Sequence, residues 1–407
     1  MLTAVLVAPF FQENTVRYVR ALVALEGARP CVITQDDVER LPPDVRAGLA
    51  GHRRVADALD ADALAGACRS LAAEVGPVDR LFGVLEQLQA PVARARDLAG
   101  VPGMSAETVR GFRDKARMKE VLRAAGVPVA RSRLLASAAD GRAFVREVGF
   151  PVVVKPPDGL GAKATYRVRD AAGLEEALAA LAPAPARPVQ AEEFVTGDEL
   201  TFETVSVRGR PVWWSGTRYL PGPLTVLENP WIQYCVLLPR EEDAPDFAAF
   251  VPTGLAALAA LGMGTGLTHM EWFRRADGSA VVSEVGARPP GVHIMPMMSL
   301  THGVDMIPAW VRLVVHETFD PPRRTAAAGA AFLRSQGQGT RVAAVTGLDE
   351  VVAELGDVVV EVNPPRVGQA VAEGYEGEGH VLVRAPRTET VREALAAIVG
   401  RVRVRRG

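Results

Sequence analysis

Leu267-Thr268-His269-Met270-Glu271-Trp272-Phe273 and, beyond Asp277-Gly278, Ala280-Val281-Val282-Ser283-Glu284-Val285-Gly286-Ala287-Arg288 are the stretches on which the reading of this chain turns. Asp-Gly between two short β-prone runs marks a hairpin with a two-residue turn. Centring the turn there pairs Ala276 with Ser279, and the same register sets Glu271 opposite Glu284. Opposed side chains have Cβ atoms roughly 5 Å apart, and like charges there repel. Two facing carboxylates are tolerated when one is protonated or when a cation lies between them. Hard oxygen ligands with few other protein donors suit Mg²⁺, or Mn²⁺ in its place, bound at the same time to phosphates. The Arg288 guanidinium adds a fixed donor for phosphoryl or carboxylate oxygens. The pattern reads as a metal–triphosphate site, with a solvated hairpin whose charges point outward as the alternative.

The 407 residues exceed one ordinary core and suggest two to four domains. A hydrophobic content of 48% beside 23% charged residues is that of a globular protein, and a net charge of −2 makes no electrostatic case for nucleic acid. The tail Arg401-Val402-Arg403-Val404-Arg405-Arg406 reads as a solvated edge strand and carries no assigned function. Cys31, Cys68 and Cys235 lack metal spacing and are expected as free thiols in a reducing, cytoplasmic setting. The opening Leu2–Ala8 run lacks a basic leader and is too short for a membrane span, so it reads as a buried first strand, with no membrane partner expected.

Apolar runs alternate with helical patterns at the start: Ala4–Val7, a helix near 15–25, Pro30–Ile33, a helix near 60–75, then Arg80–Val84. That alternation predicts a parallel sheet covered by helices. Ser105 caps a further helix. Helices over 114–125 and 137–148 end at Gly126 and Gly149, the second leading into the strand Pro151–Val154. Strands resume at Val189–Phe194 and Glu199–Val207 after the Ala/Pro-rich stretch 182–188, and Gly209 turns the chain into a hairpin partner. The fold class is α/β, in an α+β multidomain arrangement. Its units are an N-terminal parallel α/β domain at 1–111, a small α/β unit at 112–188, a unit holding the acidic hairpin at 189–324, and a β-rich module at 325–407.

Lysine is rare, and Lys115, Lys119, Lys155 and Lys163 lie in one stretch. Lysine is a compact charge suited to reaching phosphate. Lys155 ends the strand Pro151–Val154 and leads into Asp158-Gly159-Leu160-Gly161-Ala162-Lys163, whose small residues would let backbone N–H groups approach phosphates. The loop fits neither a Walker A nor a Rossmann fingerprint.

Taken in order, these segments resemble the ATP-grasp superfamily, in particular its carboxylate–amine ligases related to biotin carboxylase and L-amino acid ligases. The resemblance runs from about residue 80 to the end. It makes 112–188 the lid subdomain and 189–324 the core subdomain, with ATP and Mg²⁺ as cofactors. It implies that Lys115 and Lys155 contact nucleotide phosphates and that Gly159 and Gly161 belong to the phosphate loop. Glu192-Glu193-Phe194-Val195 is similar to the adenine hinge, with Glu199 as the ribose acid. Glu271 and Glu284 match the Mg²⁺-binding acids, and Arg288 matches the arginine that holds an acyl phosphate, so Arg288 and Lys155 are the catalytic candidates. The family's usual Glu-x-Asn-x-Arg is here Glu284-Val285-Gly286-Ala287-Arg288, which removes one metal-ligating side chain at Gly286.

The resemblance implies a two-step ligation of small-molecule carboxylate and amine substrates through an acyl phosphate, and it allows a homodimer. Arg218, Trp231, Tyr234 and His293 are candidate substrate contacts, with a solvated role open for Arg218 and a backbone-bonded role open for His293. Glu13 and Asn14 follow the first strand, at the carboxyl end of the sheet where ligands often sit. His269 shares the strand face of Glu271 as its support, and Glu86 is a candidate interdomain anchor. Three readings follow. The leading one is an amino acid or dipeptide ligase. The others are an ATP-grasp carboxylase or phosphotransferase, and a nucleotide-binding module without catalysis.

Overall fold

The computed structural model describes residues 1–157, 165–229, 231–241, 244–372, 374 and 376–407. The N-terminal sheet contains β1 (Leu2–Val7), β2 (Ala28–Thr34), β3 (Gly51–Arg54) and β4 (Arg80–Gly83), all parallel, in the order β3-β2-β1-β4. The first strand is buried, and helices Glu13–Val23 and Ala61–Val75 lie where the periodicity predicts them. Asp60 caps the second helix by accepting from the Asp62 and Ala63 N–H groups. Ser105 caps Ala106–Arg113 by accepting from the Thr108 N–H at 3.2 Å. The sequence reading missed β3, because Gly-His-Arg-Arg carries no apolar run.

The next sheet is antiparallel and formed by β5 (Ser132–Leu135), β6 (Val152–Lys155), β7 (Tyr166–Val168) and β8 (Val189–Glu193), in the order β5-β8-β6-β7. Helices Ala138–Val148 and Ala171–Leu181 supply its apolar cover. The strand β8 lies between β5 and β6, so a boundary between residues 188 and 189 cuts this sheet. The unit runs on to about residue 194, since a strand that pairs on both sides cannot belong to a neighbouring body.

Among the described residues the large sheet has nine strands. They are β9 (Asp198–Val207), β10 (Arg210–Ser215), β11 (Arg218–Leu220), β12 (Tyr234–Leu238), β13 (Gly266–Arg274), β14 (Ala280–Gly286) and β15 (Ala327–Leu333). After β16 (Ser335–Gln336) and β17 (Val342–Thr346) come the last two, β18 (Val359–Asn363) and β19 (Gly379–Ala385). The order is β14-β13-β9-β11-β12-β15-β19-β18, with β10 on β9. The expected break at 324/325 is therefore corrected: β15, β19 and β18 extend the same sheet as the acidic hairpin. The separate C-terminal piece is the small sheet β16-β20-β17, in which β20 (Arg403–Arg406) is the central strand. The basic tail is thus paired on both sides, with Val402 and Val404 buried, and is not an edge.

Strand alternation on β13 decides what faces the site. Met270 and Trp272 point to the rear, where Trp272 stacks on Phe250 of helix Pro245–Ala260 with ring centroids 3.9 Å apart and planes 4° from parallel. His269, Glu271 and Phe273 consequently face the other way. The three cysteines are free and buried. Among the described residues no helix is long and apolar enough to cross a membrane. Phe250→Ala should lower stability by about 3–5 kcal/mol through the cavity left behind Trp272, read as a shift in the urea midpoint; a change under about 1 kcal/mol would mean that β13 is not held from the rear.

Candidate active site

Glu271 faces Glu284, as the register argument requires, but the hairpin reaches that pairing by another route. The Arg275 N–H donates to the Ser279 carbonyl at 2.9 Å and the Gly278 N–H to the Arg275 carbonyl at 3.0 Å. Asp277 Oδ1 accepts from the Ser279 N–H at 2.9 Å and the Ser279 hydroxyl at 2.6 Å. Ala276 therefore sits in a three-residue turn and does not pair with Ser279. That turn alone would set Glu271 opposite Ser283. A bulge between Glu271 and Trp272 adds one residue to β14 and brings Glu284 into place.

On its other edge β13 pairs with β9, which sets Glu199 against Phe273, Thr201 against Glu271 and Glu203 against His269. Cross-strand partners share a face. One surface thus gathers Glu199, Glu203, Glu271 and Glu284, and each is compensated locally. Lys115 Nζ lies 2.8 Å from Glu284 Oε1. Glu203, fully buried, accepts from Thr201 Oγ1 at 3.0 Å and holds His269 Nδ1 at 2.8 Å. His269 Nε2 then lies 3.8 Å from Glu271 Oε1, which also accepts from the Tyr219 hydroxyl at 3.2 Å. Burial disfavours charge on His269, but the bonds to Glu203 and Glu271 outweigh it and raise the imidazole to about 9. Burial likewise pushes Glu271 up, and His269, Tyr219 and Arg288 together hold it below the usual carboxylate value. Glu199 is driven well above its ordinary value by burial and then by the Glu271 charge, with Lys155 in opposition.

A second compensated cluster faces these strands. Lys119 Nζ lies 2.9 Å from Glu192 Oε2, and Lys155 Nζ lies 3.1 Å from Glu192 Oε1. Gln190 Nε2 donates to the same Glu192 Oε1 at 3.0 Å. Burial alone would raise Glu192, but the two lysines bring it to about 2. The sequence reading noted Lys119 only as a member of the lysine stretch. Its signal was its place one helical turn after Lys115. Glu192 does more than the hinge reading assigned to it, since its side chain is the common acid of two lysines. Glu193, also on the cavity wall, pairs with Arg131 Nε at 2.6 Å and Arg275 at 3.2 Å. The N–H groups of Glu193 and Phe194 already donate to Arg131 and Pro151 carbonyls at 2.9 and 3.1 Å, so those two hinge donors are used inside the lid.

Arg288 is fixed from the N-terminal domain. Its Nε and Nη2 donate to Glu86 Oε2 at 2.8 and 2.6 Å, and the Gln89 side-chain oxygen accepts from the Ala287 N–H at 3.2 Å. Both partners lie just after β4, so Glu86 is an anchor between domains, with Arg288 as its target. Beyond Arg288, Val292 and His293 adopt left-handed φ values of +44° and +59° ahead of helix Ile294–His302. A β-branched residue in that region is strained, and such strain concentrates at functional loops.

These groups line a cavity of about 780 Å³ that includes Lys115, Lys119, Lys155, Glu192, Glu199, Glu271, Glu284 and Arg288. Ala130, Val195, Val281 and Phe273 form an apolar patch on its wall, suited to an aromatic base. Among the described residues no group of three or more His, Cys, Asp or Glu could hold a metal ion by itself. Two facing carboxylates beside lysines fit an ion that takes its remaining ligands from phosphates and water, as Mg²⁺ does. Glu271 and Glu284 would hold it, and the Lys115 ammonium already shows that Glu284 accepts a cation.

The other candidates divide. Glu13, Asn14 and His293 line a second cavity, of about 1050 Å³, which shares Gly291 and Val292 with the first. Arg218, Trp231 and Tyr234 are corrected, for they line neither cavity. Arg218 alternates away from the Tyr219 face and lies over the Phe247 ring at 5.1 Å. Trp231 is exposed, and Tyr234 stacks on Phe332 inside the main core. Gly159 and Gly161 lie outside the described residues.

Two outcomes test this geometry. Glu86→Gln should loosen Arg288 and cut turnover about 10²-fold with little change in nucleotide binding, since small misplacements of a reacting group cost that much; an unchanged rate would show that Arg288 holds its position unaided. Because the folded value of His269 is raised from 6.5 to about 9, its contribution to stability is complete below 6.5 and is lost as pH rises through about 9. Denaturation midpoints of the free protein should fall across that window and stay flat in His269→Gln; parallel curves would refute the buried imidazolium.

Residues 114–197 match the family described as "Carbamoyl-phosphate synthase L chain, ATP binding domain". An uncharacterized protein of Sinorhizobium fredii is 28% identical over 322 residues, covering 77% of this chain and 62% of that protein. The phosphoribosylamine–glycine ligase of Streptomyces coelicolor is 39% identical over 174 residues, 41% of each chain. The chain thus spans less than two thirds of the length of these relatives. The crystal structure of an L-amino acid ligase from Bacillus licheniformis superposes with a TM-score of 0.77 at 20% identity, over 100% of this chain and 99% of that one. Residues 114–197 thus match an ATP-binding family of the ATP-grasp type, and the fold is shared from end to end with the L-amino acid ligase structure.

Proposed function

We propose that the protein is an ATP-dependent ligase that joins an amino acid carboxylate to an amine through an acyl phosphate, releasing ADP and phosphate. One observation carries the reading. Arg288, pinned by Glu86, lines the cavity that holds Glu271, Glu284 and three lysines, and that cavity shares Gly291 and Val292 with a second one large enough for an organic substrate.

In the first step a carboxylate oxygen of the acid attacks the γ-phosphorus and the bond to ADP breaks. Mg²⁺, held by Glu271 and Glu284, supplies charge neutralisation for the phosphates when bound. Lys115 and Lys155 lie at the same wall to meet phosphoryl oxygens, with Glu192 setting the direction of Lys155. In the second step the amine nitrogen attacks the acyl carbon, its proton is lost, and the C–O bond to phosphate breaks. Arg288 faces the oxyanion that forms at that carbon. Burial and the Glu271 charge push Glu199 well above its ordinary value while Glu271 is held below its own, so Glu271 is the more readily ionised of that pair.

The test is phosphate release from ATP and Mg²⁺ with single amino acids, amino acid pairs, and bicarbonate with amines, followed by product masses. Release that needs a pair, and a product lighter than the sum of the two by one water, is the expected result. Release with bicarbonate, a product that keeps the phosphate, or silence across a broad panel would overturn the ligase reading.

A further inference from the structure

The second cavity lies between the start of helix Glu13–Val23, the loop Gly291–His293, and β18 with the approach to β19. Its lining is unequal in charge. Glu13, Glu361 and Glu376 face it against one arginine, Arg17. Two further acids on its wall are occupied: Glu378 accepts from the Ser335 N–H at 2.8 Å and its hydroxyl at 2.7 Å, and Asp305 caps Ile307 at 3.0 Å. Glu361 shares an oxygen with His380 Nε2 at 3.0 Å while its side chain stays 55% exposed. Arg17, Glu13 and Glu376 enter no ion pair among the described residues. His293 packs on His380 with ring centroids 3.8 Å apart. Burial, then the His380 charge, holds His293 down to about 4, so at neutral pH its ring is uncharged and offers a lone pair.

We propose that this cavity binds the amine substrate, and that this substrate is an amino acid with a cationic side chain, its carboxylate on Arg17 and its side-chain cation among Glu361, Glu376 and Glu13. The inference rests on the ligase reading above. An anionic ligand would meet three acids with one arginine to offset them, and a neutral one would leave the acids without a counter-charge. A diamine without a carboxylate would leave Arg17 unused. The acid to be activated must reach Arg288 on the far side of Gly291 and Val292, so the molecule in the second cavity supplies the nucleophile. Its α-nitrogen attacks the acyl carbon, the C–O bond to phosphate breaks, and the proton from nitrogen passes to the departing phosphate or to water.

The experiment titrates the 407-residue protein, with Mg²⁺ and a non-hydrolysable ATP analogue, with arginine, lysine, leucine and glutamate by calorimetry. Phosphate release is measured in parallel with each as the amine partner. Arginine and lysine should bind about tenfold or more tightly than leucine, with glutamate weakest. The double variant Glu361→Gln, Glu376→Gln should lose about that tenfold preference while the KM for ATP stays unchanged. Arg17→Ala should weaken arginine but not agmatine, which lacks the carboxylate. Equal binding of leucine and arginine, or a preference that survives the double variant, overturns the proposal while amide formation continues. No amide from any pair overturns the ligase reading instead, and the calorimetric preference then reports on the cavity alone.

Discussion

Compensation of charge on a partly dry surface is the constraint on which the site depends. Glu199, Glu203, Glu271 and Glu284 share one face of three adjacent strands. Such a face is not tolerable bare, because desolvation penalises each carboxylate and each penalises its neighbour. The chain answers with different devices at each position: a lysine on Glu284, an imidazole between Glu203 and Glu271, and at Glu199 a carboxyl pushed well above its ordinary value. Buried ion pairs contribute little net stability, and apolar residues of like volume would often serve as well. In the proposed reaction their value is that a dication and a triphosphate enter a field already arranged for them.

The hairpin shows how much of this the sequence carries. The alternation of His269, Glu271 and Phe273 fixes which side chains face forward, and the Asp-Gly signal fixes that the chain reverses there. Local propensity does not reveal the three-residue turn or the bulge at β14, yet their offsets cancel and leave Glu271 opposite Glu284. Long-range partners were less legible. Glu203 reads as one more strand residue until His269 is brought 2.8 Å from it, 66 positions away. Glu86 could be marked only as an anchor, since its partner lies 202 residues on. Arg218, Trp231 and Tyr234 looked alike as polar and aromatic residues in a loop-rich stretch; strand placement separates Arg218 and Tyr234 from the cavities, and Trp231 lies exposed in a turn. The C-terminal boundary failed for a similar reason: β15 is mostly small apolar residues and β19 mixes apolar residues with His380 and Arg384, and composition does not say which sheet they join.

The N-terminal domain contributes no catalytic side chain to the proposed reaction, yet it determines where Arg288 points. Glu86 and Gln89 follow the carboxyl end of a parallel strand, the end at which open α/β sheets present ligand-binding loops. Here that end presents a carboxylate to another domain's arginine. The same domain sends Arg17 and Glu13 to the second cavity from the helix after β1. In the proposed ligation it therefore serves both reaction partners, holding the oxyanion donor with one loop and lining the organic-substrate side with another.

The Lys119–Glu192 contact joins two bodies. Lys119 sits on helix Lys115–Ala124, whose Met118 and Leu122 pack with Phe202 and Val282 in the core subdomain, whereas Glu192 belongs to β8 of the lid. The connecting segment is itself tied down, because the Val282 N–H donates to the Pro128 carbonyl at 2.9 Å. Swinging the lid outward about that tether must draw Glu192 from Lys119 and hydrate both. In such a swing the pair would act as a latch whose strength depends on dryness: firm while the cleft is shut, and weakened by the first waters that enter beside it.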